Sequence, residues 1–352
     1  MDVAIILINY KDYARRYLAE CIASVRAQKY SGSFKVIIVD NESSQETVDY
    51  IKNVAPEAEI VVNKNNDGFA KGNNDGVKKA IELGFQYFVL LNMDTEVEND
   101  WLQKLVDAAA KLDNWGAVQS RAMLYSDKNK INTLGNSLHY LGFGFSSGSG
   151  VDYIAPTTNY HLPIVITYFS GVSVLLRRDV LEKVGMFDEE FWMYHDDLEL
   201  SWKIRLAGYN LYLAPDSVVY HKYEFAKSIK QYYWMERNRF IFFLTVFHPL
   251  TIILLLPMFM VMEIGLIFFS IKGGFLGEKI KVYQWIIEAD NWRYIKLRRA
   301  KIRKIRKLKD RDLIKHLVSK IEFQEIDNPL LRDIANPIMT AYWWIAKKII
   351  IW

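Results

Sequence analysis

Strand-like and helix-like patterns alternate from the first residue. Val3–Asn9, Lys35–Asp40 and Glu59–Asn63 are short apolar runs. Between and after them, apolar residues recur at helical spacing: Leu18, Cys21, Ile22 and Val25; Val48 and Ile51; Val77, Ala80 and Ile81 before Gly84. Phe85–Leu91 is the densest run, almost wholly apolar and rich in aromatic and β-branched residues. Seven such residues are too few for a typical helix and suit a strand buried on both faces. A helix with Trp101, Leu102, Leu105, Val106 and Ala109 follows. This alternation predicts an α/β fold with a mostly parallel sheet and helices on both faces.

Residues 116–165 are less regular, with Gly142, Gly144, Gly148 and Gly150 among aromatics and serines, and predict a flexible loop, a lid over a substrate being the narrower alternative. Val165–Arg177 reads as a buried strand broken at Ser170-Gly171, followed by a helix over Asp179–Val184. Leu198, Trp202 and Leu206 share one helical face that Gly208 ends, which puts Asp196 and Asp197 at a helix start. Leu211–Leu213 and Val218–Tyr220 predict two short strands before His221.

The pattern changes at Phe240. Residues 240–271 are hydrophobic, but the longest stretch without a charge or histidine is short for a span of about 20 residues, and Pro257 breaks it. Two helices lying in one leaflet are expected; a transmembrane hairpin, a single span or burial in the protein are the alternatives. The division is 1–239 α/β, 240–275 membrane-associating and 276–352 basic and amphipathic.

Charge sharpens this picture. The net charge is +4, yet residues 293–311 hold eleven Lys/Arg against one Asp. Ile295, Ile302, Ile305 and Leu308 form a thin apolar stripe in that run, as in a helix drawn to anionic lipid. A solvated charge run is the plain alternative, with RNA binding a weaker third. The tail from Ile338 mixes Trp, Tyr and Lys as interfacial anchors do, or serves an oligomer contact. One cysteine, Cys21, excludes an internal disulfide framework and fits a reducing compartment. Met1 leads directly into an apolar run too short for a signal peptide.

The chemistry clusters where strands stop. Asn9-Tyr10, Asp40-Asn41 and Asn92-Met93-Asp94 end three strands, and open α/β sheets bind ligands at their carboxyl edge. Asp94 suits a divalent cation or a sugar hydroxyl; a turn or helix-cap aspartate is the plain alternative. Asp40 suits the donors of a nucleobase. The Gly68–Asn74 stretch reads as a turn where backbone can approach a nucleotide, without the spacing of a dinucleotide fingerprint or P-loop. Asp196 and Asp197 either complement a helix dipole or supply a general base. His221 is a ligand candidate only if other ligands converge. Arg237 suits a diphosphate or a structural salt bridge.

Together these pieces resemble glycosyltransferase family 2, of the GT-A fold, and within it the rhamnosyltransferase-like branch. The resemblance covers about residues 3–240. It rests on Asn9-Tyr10, Val39-Asp40-Asn41 with Ser43, Asn66–Ala70 with Gly72-Asn73-Asn74, Leu91–Asp94, Ser170-Gly171, Gly185–Asp188, Asp196–Glu199 and His221 in that order. It implies a donor site of Asn9, Tyr10, Asp40, Asn41, Gly68, Asn73, Asn92, Asp94 and Arg237. Ser170 and Gly171 fall on the acceptor side, Asp94 and His221 on a Mg2+ or Mn2+ ion, and Asp197 in the place of the catalytic base, with Asp196 beside it. Asn92 replaces the first acid of the family's Asp-x-Asp, and Lys71 stands where glycine is common.

The resemblance further implies inverting transfer from a dTDP- or UDP-sugar, rhamnose first, to a glycolipid or polysaccharide acceptor. The apolar and basic segments after residue 240 add an expected place on the cytoplasmic face of the cell membrane, with no nucleic acid as partner. A polyprenyl-phosphate sugar synthase is the alternative enzyme, but a phosphate acceptor needs no general base. A membrane-anchored nucleotide-sugar-binding scaffold is the non-enzyme alternative.

Overall fold

The computed structural model describes residues 1–146, 148–154, 163–223, 231–322 and 328–352. The elements run β1 (Val3–Tyr10), α1 (Tyr13–Arg26), β2 (Phe34–Asn41), α2 (Gln45–Val54), β3 (Glu59–Asn63), α3 (Gly68–Glu82), β4 (Tyr87–Leu91), β5 (Thr95–Val97) and α4 (Trp101–Ala110). Then come β6 (Trp115–Leu124), β7 (Ile131–Thr133), β8 (Asn136–His139), β9 (Gly144–Ser146), β10 (Ile164–Val165), β11 (Ser173–Arg177), α5 (Arg178–Val184), α6 (Asp196–Leu206) and β12 (Asn210–His221). The last third is helical: α7 (Tyr232–Val246), α8 (Pro249–Lys272), α9 (Leu276–Ile287), α10 (Ala289–Ile305), α11 (Asp310–Leu313), the short β13 (Leu317–Val318) and α12 (Asn336–Ile349).

Two compact units emerge. The first comprises Met1–Asn136, Ser146–Arg205 and Tyr209–Tyr223. Its sheet is ordered β10-β12-β6-β11-β4-β1-β2-β3, with β5 beside β12 and β7 beside β6. β4, β1, β2 and β3 are mutually parallel, as are β6 and β12, while β11 runs antiparallel between β4 and β6. The apolar faces of α1 and α4 close one side of the core with the strands, including fully buried Leu18, Cys21, Leu102 and Leu105. Fully burying a Leu or Ile side chain contributes about 1.5–3 kcal/mol, so this face holds the sheet flat against its helices.

Four expectations change. β6 is a ten-residue strand within the stretch expected to be irregular. Its polar residues disguised it: Ser120 sits in the core, hydrogen-bonded to Trp101 Nε1 at 2.9 Å, Ser173 at 2.8 Å and Ser217 at 2.9 Å. The two short strands expected after Gly208 are one, β12, with a register shift between Ala214 and Val218 that accommodates Pro215. The Gly68–Asn74 stretch is no turn but the first two turns of α3. A Cβ at Gly76 would lie 2.4 Å from Ile6 Cγ2, so that glycine lets the helix press onto the sheet. The expected strand over Val165–Arg177 is two, β10 and β11, with different neighbours. Part of the expected lid, residues 147 and 155–162, lies outside the described residues.

The second unit takes Ser137–Phe145, Leu206–Gly208 and the chain from Glu224 onward, so α7 belongs here and not with a catalytic unit ending at residue 239. The reason is packing: α7 lies against α9 and α10. Nor do residues 240–271 form two helices of their own. Phe240–Val246 is the buried end of α7, and α8 is a single helix carrying Pro257 inside it. Arg239 pairs with Glu236 and Glu263, Lys279 pairs with the same two acids, and Tyr283 donates to Glu263 at 2.8 Å. All four charges are buried, and the two cations balance the two anions.

The basic run is partly internal. Arg299 donates to the Leu244 and Phe247 carbonyls, Arg306 to the Val246 carbonyl, and Arg298 to Thr245 Oγ1 at 3.1 Å. Arg299 and Arg306 thus satisfy carbonyls left open at the carboxyl end of α7.

Candidate active site

Register builds the site. Asn9 pairs with Asp40 and Tyr10 with Asn41 across β1 and β2, and Ile6 pairs with Leu90 of β4. The carboxyl ends of the three strands therefore share one edge, as expected. Asn9, fully buried, donates through Nδ2 to Asp40 Oδ1, to Ser43 Oγ at 2.8 Å and to the Lys11 carbonyl at 3.0 Å, and accepts from Ala14 N at 2.6 Å. Ser43 also donates to Asp40 Oδ1. Asp40 Oδ2 is buried with no hydrogen-bond partner among the described residues. A buried carboxylate oxygen left unpaired is costly, and a ring N–H of a nucleobase would satisfy it. Tyr10 is exposed beside this edge, and Asn41 Oδ1 accepts from Asn63 Nδ2 at 3.0 Å.

A second group gathers around Trp192. A Cβ at Gly68, where φ is +92°, would lie 2.4 Å from Trp192 Cδ1, so only glycine fits under that ring. Ala70 N donates to the Trp192 carbonyl at 3.2 Å. Asn73 Nδ2 donates to the Phe69 carbonyl at 2.9 Å, which places it inside α3. Trp192, Tyr194 and His195 all have positive φ, between 58° and 62°. Three such non-glycine residues just before Asp196 are strained backbone of the kind concentrated at functional sites.

The two acids differ. Asp196 is 4% exposed, and its Oδ2 has no hydrogen-bond partner among the described residues. Burial, then the charges of Asp197 and Glu199, push its proton affinity well above the usual carboxylate range. Asp197 is half-buried, and its Oδ1 accepts from Leu198 N at 2.7 Å. Burial pushes it up to about 6, while backbone N–H groups of Leu198 and Gly171 oppose the rise. Ser170-Gly171 is thus tied to this carboxylate; Ser170 N in turn donates to Gln119 Oε1 at 2.7 Å.

Raised folded-state values have a stability consequence. Both acids are neutral in folded and unfolded chains at low pH, so their contribution is intact there. It is lost as pH rises from the ordinary carboxylate range, near 4, through the folded values. Melting temperatures of Asp196→Asn and the natural chain should therefore diverge in the variant's favour between pH 4.5 and 8. A difference independent of pH would contradict the buried, proton-holding state of Asp196.

Asp94 lies just past β4, 9% exposed. His221 ends β12 opposite Thr95, which brings Nε2 within 3.3 Å of Asp94 Oδ1. The Tyr13 hydroxyl donates to the same carboxylate. Asn92 donates its N–H to the Val172 carbonyl at 2.9 Å, and its own carbonyl accepts from Thr95 Oγ1 at 2.6 Å. Among the described residues no group of three or more His, Cys, Asp or Glu could hold a metal. Mg2+ and Mn2+ keep waters and take one or two protein ligands plus phosphates, so Asp94 with His221 would be enough to hold either. Asp94 Oδ1, buried and without a hydrogen-bond partner among the described residues, fits such an ion.

Arg237 belongs to the second unit. It is buried there, donating to Asn238 Oδ1 at 2.9 and 3.1 Å, with its guanidinium 4.5 Å from the Trp234 ring. Lys71 pairs with Asp75 at 2.6 Å. Sequence reasoning missed Tyr13 and Trp192. Only Trp192, beside the two acids, carried any signal.

Comparison with known proteins bears on this arrangement. Residues 3–185 match the model of glycosyl transferase family 2. The dTDP-rhamnosyl transferase RfbF of Shigella flexneri is 23% identical over 53% of this chain, and the low-salt glycan biosynthesis hexosyltransferase Agl10 of Haloferax volcanii 25% over 60%. The matches span 59% and 64% of those relatives' lengths. Among solved structures, residues 1–349 of Staphylococcus aureus TarS share the fold at a TM-score of 0.52 and 15% identity, covering 99% of this chain and 90% of that one. GalNAc-T7, solved with UDP, GalNAc and Mn2+, does so at 0.52 and 17%, covering 63% and 43%. With over half its length matched by the family model and its strand ends arranged as described, this chain belongs to glycosyltransferase family 2.

Proposed function

We propose that this protein is an inverting, metal-dependent glycosyltransferase. It moves a sugar from a nucleoside diphosphate donor to a hydroxyl of a lipid-linked or polysaccharide acceptor. The observation that carries this reading is the carboxylate of Asp94 facing His221 at the end of the central parallel strand. Asp40 and Asn9 receive the base. Asp94 and His221 hold Mg2+ or Mn2+, which stabilises the charge on the departing diphosphate when bound. Asp197 takes the proton of the acceptor hydroxyl, and Ser170-Gly171 orients that carboxylate through the Gly171 N–H. A single displacement inverts the anomeric carbon. The relative named as a dTDP-rhamnosyl transferase supports dTDP-rhamnose as the first donor to try, with UDP-sugars next. The test is a donor panel scoring nucleoside diphosphate release with and without chelator. Donor binding without turnover across the panel would favour a binding scaffold.

The second unit supports attachment to an anionic membrane surface. α8 is 24 residues long, with mean hydropathy 2.6 in its most apolar window. One strip of it, Thr251, Leu255, Met258, Phe259, Glu263 and Ser270, is buried from first turn to last. The opposite strip, Ile253, Met260, Val261, Ile264, Phe268 and Ile271, is exposed. Only 22% of that window is buried within the protein, so most of its apolar surface is open to lipid. α12 adds exposed Ile338, Ile345 and Ile349, and α10 keeps Arg293, Lys296, Lys301, Arg303 and Lys304 exposed. The protein should sediment with anionic liposomes, and high salt should weaken this only in part, because apolar burial persists. Equal recovery in the soluble fraction with neutral and anionic liposomes would contradict it.

A further inference from the structure

β7 carries one residue more than its partner strand matches. Thr133 pairs with Ala122 and Ile131 with Met123, so Asn132 is the extra residue of a bulge. A bulge frees one residue from the ladder and re-aims its side chain. Asn132 is 7% exposed, and its Oδ1 lies 2.9 Å from His221 Nδ1. Ser146 Oγ donates to its carbonyl at 2.7 Å, anchoring the bulge. On the far side of the ring, Nε2 lies 3.3 Å from Asp94 Oδ1. The Lys222 N–H donates to the Asp94 carbonyl at 2.8 Å, which locks that spacing through the backbone.

A neutral imidazole has one N–H and one lone pair. With the Asn132 oxygen against Nδ1, the hydrogen sits on Nδ1 and Nε2 turns its lone pair toward the carboxylate. Two acceptors facing each other repel, and a cation shared by both reverses the sign. With the Asn132 amide nitrogen there instead, Nε2 would carry the hydrogen and donate to Asp94, closing the pair to a metal.

We propose that Asn132 is a positioning residue that holds His221 in the Nδ1–H form, so that Nε2 and Asp94 together face a divalent cation. This rests on the metal-dependent reading above. Partners that orient a ligating histidine in this way typically affect metal affinity about 10–100-fold.

The test titrates Mn2+ into the whole chain with TDP or UDP present, following free Mn2+ by electron paramagnetic resonance. Asn132→Leu should bind Mn2+ about 10–100-fold more weakly. Asn132→Asp keeps an acceptor against Nδ1 and should bind at least as tightly as the natural chain. Asp94→Ala should bind none. A merely structural role would lower the melting temperature of Asn132→Leu but leave the affinity of its folded fraction unchanged. If Asn132→Leu binds like the natural chain while Asp94→Ala does not, the metal reading stands and the role of Asn132 falls. If the natural chain binds no Mn2+ with either nucleotide, both fall. Should Asn132→Leu fail to fold, nitrogen-15 shifts of the His221 ring in the metal-free natural chain decide. Protonated Nδ1 is expected, and protonated Nε2 overturns the proposal.

Discussion

Asp197→Asn should cut turnover by about 10²–10⁴-fold, the scale of a lost general base, while donor binding stays close to that of the natural chain. Asn keeps the size of the side chain and an oxygen to accept from Leu198 N, which lies 2.7 Å from Oδ1. It cannot take the acceptor's proton. Burial pushes Asp197 up to about 6, so it is largely ionised at pH 7 yet more basic than an exposed carboxylate. The same value predicts that kcat/KM falls below about pH 6 as the base is protonated. Asp196 is more deeply buried and holds its proton more tightly, so Asp196→Asn should cost less turnover. Turnover from nucleoside diphosphate release, set beside nucleotide affinity by calorimetry, separates the two. If the two variants change places, Asp196 is the base.

Asp94→Ala should all but abolish transfer, and a chelator should do the same to the natural chain. A metal's stabilisation of developing charge is worth several kcal/mol, and each 1.36 kcal/mol is tenfold in rate, so a loss of about 10³-fold or more is expected. The variant also removes a buried carboxylate from between Tyr13 and His221. Its melting temperature is therefore measured beside its rate. Full activity of the natural chain in excess EDTA would overturn the metal assignment outright.

Much of the parallel half of the sheet was legible, because β1, β2 and β4 are buried on both faces and read as unbroken apolar runs. Their shared carboxyl edge followed from the alternation of strands and helices, and with it the neighbourhood of Asn9, Asp40 and Asp94. β6 was hidden because its core is partly polar, with Ser120 bonded to Trp101, Ser173 and Ser217. β12 was split by Pro215, which only a register shift reconciles with one strand. Asn132 left no trace in the pattern, since a bulge is a property of pairing and not of one strand. Three arginines of the basic run escaped the reading for a related reason. Charge runs usually coat a surface, but Arg298, Arg299 and Arg306 find their acceptors at the end of α7, some fifty to sixty residues earlier in the chain.

The charges buried beneath α8 bear on how the chain is made. A newly synthesised helix of this length and hydropathy is a substrate for membrane insertion before it is part of any fold. Glu263 alone is a weak defence, because one charge costs about 2.5–3.5 kcal/mol on insertion and many apolar neighbours offset it. Its strength comes from partners. Arg239 and Glu236 precede it in the chain and are made first, whereas Lys279 follows. The ion pair to Arg239 can therefore claim α8 while it is still leaving the ribosome, and Lys279 then secures it. The order of these charges along the chain therefore favours early docking of α8 onto α7.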